Sequence, residues 1–127
     1  MIDWSQTITP ETRAAETNLA RLAAIRARRD RAIAAGLLLD GLAVATDDVS
    51  QARITGAALA ALLDPEICVQ WKLPDGQFVT LTAVQILAVA RAVRAHVQAC
   101  FDREAELLAA LAAGQPEDAG AGWPGQG

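Results

Sequence analysis

The residues able to do chemistry are few and scattered. His96 is the only histidine, and Cys100 follows it by four positions, which on a helix puts imidazole and thiol on one face within contact distance. Such a pair could form an activated thiolate or supply two ligands to a metal. Either use needs more groups: a nucleophile needs a base that a third residue orients, and zinc takes three or four ligands. No carboxylate, and no cysteine other than Cys100, stands three or four positions from His96. Serine occurs only at Ser5 and Ser50 and tyrosine is absent, so a Ser-His-Asp device has no local support. Asp40-Gly41 and Asp75-Gly76 lack the repeated glycines and the lysine of a phosphate loop. The expectation is a protein that is not an enzyme, with no catalytic residue, no metal and no cofactor.

Arginine is the other chemical resource. Arg13, Arg21, Arg26, Arg28, Arg29 and Arg31 stand against only Glu16 and Asp30 in the same stretch. A basic segment of this kind can contact phosphates. The whole chain carries a net charge of −4, which argues against general affinity for nucleic acid. Arg21, Arg28 and Arg31 share a helix face and are read as solvated, or as paired with Asp102, Glu104 and Glu106 on the last helix of a neighbouring subunit.

The elements that carry these residues are legible from caps and turns. Thr9-Pro10-Glu11 supplies a cap, a first-turn proline and a first-turn acid, so a helix begins there and runs to Gly36. Leu37-Leu38-Leu39, Asp40-Gly41 and Leu42-Ala43-Val44-Ala45 spell a hairpin. Asp47 or Asp48 then caps a helix over about 49–63, with Ser50 in its first turn, which carries Ile54, Ala58, Leu59 and Leu62 on one side and ends before Asp64-Pro65. Val69, Trp71 and Leu73 alternate with Gln70 and Lys72, and Phe78, Val79 and Leu81 follow a turn at Asp75-Gly76, the period-two pattern of a second hairpin. Trp71 is read as a core anchor, with an exposed contact beside Lys72 as the other use. Thr82 and Gln85 form a capping box, so a long helix starts at Ala83. Along it Ile86, Ala90, Val93, Val97, Cys100, Leu107 and Leu111 make one apolar seam, interrupted only by Glu104, and that seam must pack on something. The fold class is α+β: helix, β-hairpin, helix, β-hairpin, long helix, with the hairpins able to join into one small antiparallel sheet packed by the helices. Hairpin followed by helix occurs twice, although side-chain identity between the two copies is poor and Asp-Gly hairpins need no shared ancestry.

Size and composition set the rest. With 127 residues the chain suits one domain. Alanine supplies much of its hydrophobic content of 53% and its aromatic content is only 4%, so the core is thin and self-association is expected. No stretch is long and apolar enough to cross a membrane. Met1-Ile2-Asp3-Trp4 lacks the basic start and apolar run of a signal peptide, which reads as a chain that folds in a cytoplasm. In that compartment Cys68 and Cys100 are expected to be buried free thiols. The domain is placed at 10–112, preceded by an arm at 1–9 and followed by a flexible Gly/Pro-rich tail at 113–127 that buries almost nothing. Trp4 and Trp123, one in each flank, are read as local packing residues or as contacts to a partner.

The order of several short patterns resembles a known family. Thr46-Asp47 with Ser50, Ile54-Thr55-Gly56-Ala57, Trp71-Lys72, Asp75-Gly76, Phe78-Val79-Thr80-Leu81-Thr82, and His96-Val97-Gln98-Ala99-Cys100-Phe101 with Glu104 are similar to an uncharacterised domain encoded by tailed phages and prophages, often among tail and tail-fibre genes. The resemblance covers about 14–111. It implies a structural protein of the distal tail or fibre apparatus, located in the virion and, during assembly, in the host cytoplasm. Its partners would be phage tail or fibre proteins, met through the apolar seam. A tail-fibre assembly chaperone that leaves before the virion is complete is the alternative. A further one is a phage regulator that binds nucleic acid or a host protein through the arginine-rich first helix.

Overall fold

The computed structural model describes residues 9–125; Trp4 lies outside them. Seven elements follow in the order expected: α1 (Pro10–Ala34), β1 (Leu37–Leu39), β2 (Leu42–Val44), α2 (Asp48–Leu63), β3 (Cys68–Lys72), β4 (Phe78–Thr82) and α3 (Ala83–Ala112). Local chemistry accounts for each boundary. The Thr9 hydroxyl accepts from the Thr12 amide and Pro10 opens α1. Asp47, not Asp48, caps α2, taking both the amide and the hydroxyl of Ser50; the hydroxyl holds the carboxylate below its usual pKa range. At α3 both halves of the Thr82–Gln85 capping box are made.

Each hairpin is closed by its turn. Asp40 and Gly41 both have positive φ, 49° and 83°, the arrangement whose twist matches two antiparallel strands. In the second turn the Asp75 carboxylate accepts from the Gln77 amide at 2.9 Å and the Gly76 amide donates to the Leu73 carbonyl at 2.9 Å. The hairpins do not join: they are two separate two-stranded sheets, which corrects the single small sheet. The reason is packing. Leu37, Leu39 and Leu42 of one hairpin and Val69, Trp71 and Val79 of the other all lie against the same core, built from α2 and the first half of α3. Both sheets cover that core with a face, each as its own two-stranded ribbon.

α3 is the spine of the molecule. Its first half, with Ile86, Val89 and Val93, packs on α2 and the hairpins. Its second half, with Cys100 and Leu107, packs on Ile25, Ala32 and Ile33 of α1. Ala32 meets His96 while Arg29 meets Glu104, so α1 runs antiparallel to α3. The apolar seam expected to close on another molecule is therefore covered within the chain, because a helix of 30 residues is long enough for α1 and α2 to share.

Two other expectations are corrected. Cys68 is exposed, since it falls with Gln70 and Lys72 on the outer face of β3, and only Cys100 is a buried thiol. Phe78 is exposed by the same alternation: the neighbours Phe78 and Val79 point to opposite faces of β4, and Val79 takes the core, as a half-buried strand requires. The segment after α3 does bury surface: Trp123 is 3% exposed and belongs to the second core cluster with Ile25, Cys100 and Leu107.

Gly36 ends α1 with φ of 81°, and a β-carbon added there would stand 3.1 Å from the Val44 carbonyl oxygen. Gly36→Ala is expected to lower stability by about 2 kcal/mol through left-handed strain and this close contact, measured as a lower urea midpoint.

Candidate functional site

His96 and Cys100 do meet, but inside the protein. The Nε2–H of His96 donates to the Ala32 carbonyl at 2.9 Å, and the Cys100 sulfur lies 4.0 Å from the same nitrogen. The accepting carbonyl stands in the last turn of α1, where it also takes the Ala35 amide at 3.3 Å, so the imidazole serves as a tether between α1 and α3. Cys100 is 0% exposed, and burial pushes its thiol pKa up while Arg28 opposes the shift more weakly. A thiol so placed is a packing group. Among the described residues no three His, Cys, Asp or Glu side chains come together as a group that could hold a metal ion.

The arginines of α1 divide between structure and solvent. Arg29 donates to Glu104 at 2.6 Å and to Asp30, and lies 5.5 Å from the centre of the Phe101 ring. Its bonds to Glu104 and Asp30 raise its pKa further. Glu104 is thus the one polar residue of the α3 seam because it receives Arg29 from α1. An acid inside an apolar seam was the available signal for this pair. The pairing is within one chain rather than with a neighbouring subunit, and it uses Arg29 instead of Arg21, Arg28 or Arg31. Arg28 lies 5.5 Å from the centre of the Trp123 ring. Arg21 and Arg31 are exposed. Glu106 pairs with Arg103, and Asp102 accepts from Gln98 at 3.0 Å.

The segment after α3 is held by Arg103, whose guanidinium donates to the Ala121 carbonyl at 3.0 Å and to Glu117 at 3.3 Å. The Trp123 indole N–H donates to the Ala119 carbonyl at 2.8 Å, so a buried ring has its one polar atom satisfied. In this arrangement Trp123 is an anchor for the chain itself. Trp71 is half-buried against the core, with Lys72 exposed beside it. Asp75, Gly76, Asp47, Ser50, Thr82 and Gln85 all sit in turns and caps.

The face left open belongs to α2. Its core side is Ile54, Ala57 and Ala61, small enough to bring the helix close to α3. Leu59 and Leu62, read from the sequence as core residues, instead face solvent with Val49 and Leu63, at exposures of 58% (Leu59), 66% (Leu62), 58% (Val49) and 79% (Leu63). Val49, Ala52, Gly56, Leu59 and Leu63 form one exposed row with alternating steps of three and four. Large apolar side chains grouped on one outer face mark contact surfaces more often than scattered ones do.

Comparison with known proteins gives a family. Residues 16–121 match the model described as Domain of unknown function (DUF4376), and the chain belongs to that family. No curated protein and no solved structure matches the chain. The match bears out membership of an uncharacterised domain family, and it carries no activity, partner or location and no link to phage tails with it.

Proposed function

We propose, from the premise that this chain is a domain of the DUF4376 family, that it is a structural protein of a phage tail, in the distal tail or fibre apparatus, and acts by binding other proteins. The observation that carries the binding role is the outer face of α2, where four large apolar residues stand in solvent on a helix whose other side is core. The tail context rests on the resemblance of the short patterns to domains encoded among phage tail and tail-fibre genes. In this reading the protein passes through the host cytoplasm and ends in the virion, with tail or fibre proteins and further copies of itself as partners. The apolar seam of α3 has no part in those contacts, because α1 and α2 already cover it. Binding of nucleic acid through α1 has less support, since Arg28 and Arg29 are engaged with Trp123 and Glu104.

Mass spectrometry of gradient-purified particles beside the infected-cell lysate tests the reading. The expected result is a fixed number of copies per particle. Abundance in the lysate with absence from particles would overturn it, in favour of an assembly chaperone or a regulator.

A further inference from the structure

The row on α2 has the spacing of a helix-pairing seam. Val49, Ala52, Gly56, Leu59 and Leu63 occupy successive a and d positions over two heptads, and the positions opposite them, Ile54 and Ala61, are the buried ones. We infer that this face seats a second copy of the chain, with the two α2 helices side by side and parallel about a two-fold axis. The inference rests on the reading of the protein as a binding module and names one partner for it.

Gly56 is the first support. It lies in the middle of α2 without a left-handed φ, and a β-carbon built on it would meet nothing within 4 Å. Glycine is the poorest helix former after proline, and nothing among the described residues requires it here. A facing helix does, because two backbones approach closely only where side chains are missing.

Charge gives the direction. Asp48 and Arg53 flank the row at g and e positions five residues apart, the spacing at which a g residue of one helix meets an e residue of a parallel partner. A parallel pair therefore sets Asp48 of each copy beside Arg53 of the other, twice by symmetry. Among the described residues neither group enters an ion pair within its own chain. An antiparallel pair would place Asp48 near the apolar far end of the partner helix and satisfy neither charge.

Size gives the strength. α2 has 16 residues and is about 24 Å long, so two such helices cover less than the roughly 1,600 Å² of a standard stable interface. The dimer is accordingly weak and concentration-dependent. It forms at all because each helix is already folded on its own core, so pairing carries no cost of ordering the helix.

Light scattering and equilibrium sedimentation of the full chain from about 1 to 500 µM should show a monomer–dimer equilibrium, with Leu59→Glu raising the dissociation constant at least about tenfold while leaving the circular dichroism unchanged. Gly56→Leu should also weaken the dimer, yet leave the monomer at least as resistant to heat. In a Cys68→Ser background, oxidised Leu59→Cys should link to itself, since d positions face each other in a parallel pair. A monomer throughout the range, a dimer indifferent to Leu59→Glu, or a failure of Leu59→Cys to link would each overturn the inference. So would linking of Val49→Cys to Leu63→Cys in a mixture, which signals an antiparallel pair. A chain that stays monomeric yet is found in particles sinks this inference and leaves the tail reading standing; a dimer absent from particles does the reverse.

Discussion

Trp123→Ala should cost the fold about 4 kcal/mol, the largest loss expected from any single truncation in the chain. Three terms contribute. The ring is buried between α1 and α3 beside Ile25, Cys100 and Leu107, and a domain with so few aromatics has little to fill the hole with. The Arg28 guanidinium loses the ring it lies over. The Ala119 carbonyl loses the indole hydrogen. Since small domains hold only about 5–15 kcal/mol in total, the loss is a large fraction of the whole. Urea denaturation gives its size, and thiol labelling gives its place. Cys68 should react at once in both proteins, whereas Cys100 should react slowly in the parent and much faster in the variant. A loss under about 1 kcal/mol with Cys100 still protected would make Trp123 a surface attachment.

Thr46→Val should cost about 3 kcal/mol although it keeps the shape of the side chain. Thr46 is 0% exposed. Its hydroxyl donates to the Ile33 carbonyl at 2.6 Å and accepts from the Gly36 amide at 2.9 Å, so one oxygen closes the C-terminal end of α1. Valine removes both partners at once and leaves two backbone groups short of a hydrogen bond. Thr46→Ser keeps both bonds, loses only a methyl group and should cost about 1 kcal/mol. The comparison of urea midpoints separates hydrogen bonding from packing: equal losses in the two variants would refute the bridging role.

The caps and turns were legible because they are local. Thr9, Asp47, Thr82 with Gln85, and the two Asp-Gly pairs each act over three or four residues, and a sequence shows that range directly. Arrangement in space was less so. The period of α2 fits two opposite faces, and the larger side chains pointed to the wrong one; small Ala57 and Ala61 won the inside because they let the helix approach α3 closely. The same competition hid Trp123, since a glycine-rich segment gives no periodic sign that it will return to a helix. Thr46 stood out only as a neighbour of a cap, because its hydrogen bonds reach back to Ile33 and Gly36. For the candidate site the legible part was chemical type and the illegible part was engagement. The arginine cluster was visible, but which of its members are already bound within the chain depends on the antiparallel pairing of α1 with α3.

That pairing sets a schedule for the chain as it is made. α1 precedes every other described element, yet the side chains that cover it, from His96 through Leu107 to Trp123, come last. The core drawn from residues 37–97 can close as soon as α3 begins to emerge from the ribosome. Ile25, Ala32 and Ile33 must wait for residues more than sixty positions downstream, a long loop to close and a slow step to complete. A nascent chain halted at Val97 therefore carries the residues of one core and a first helix whose packing partners Cys100, Leu107 and Trp123 are still to come. It is in that interval, before the last turn of synthesis, that the protein is most open to proteases and to the wrong neighbour.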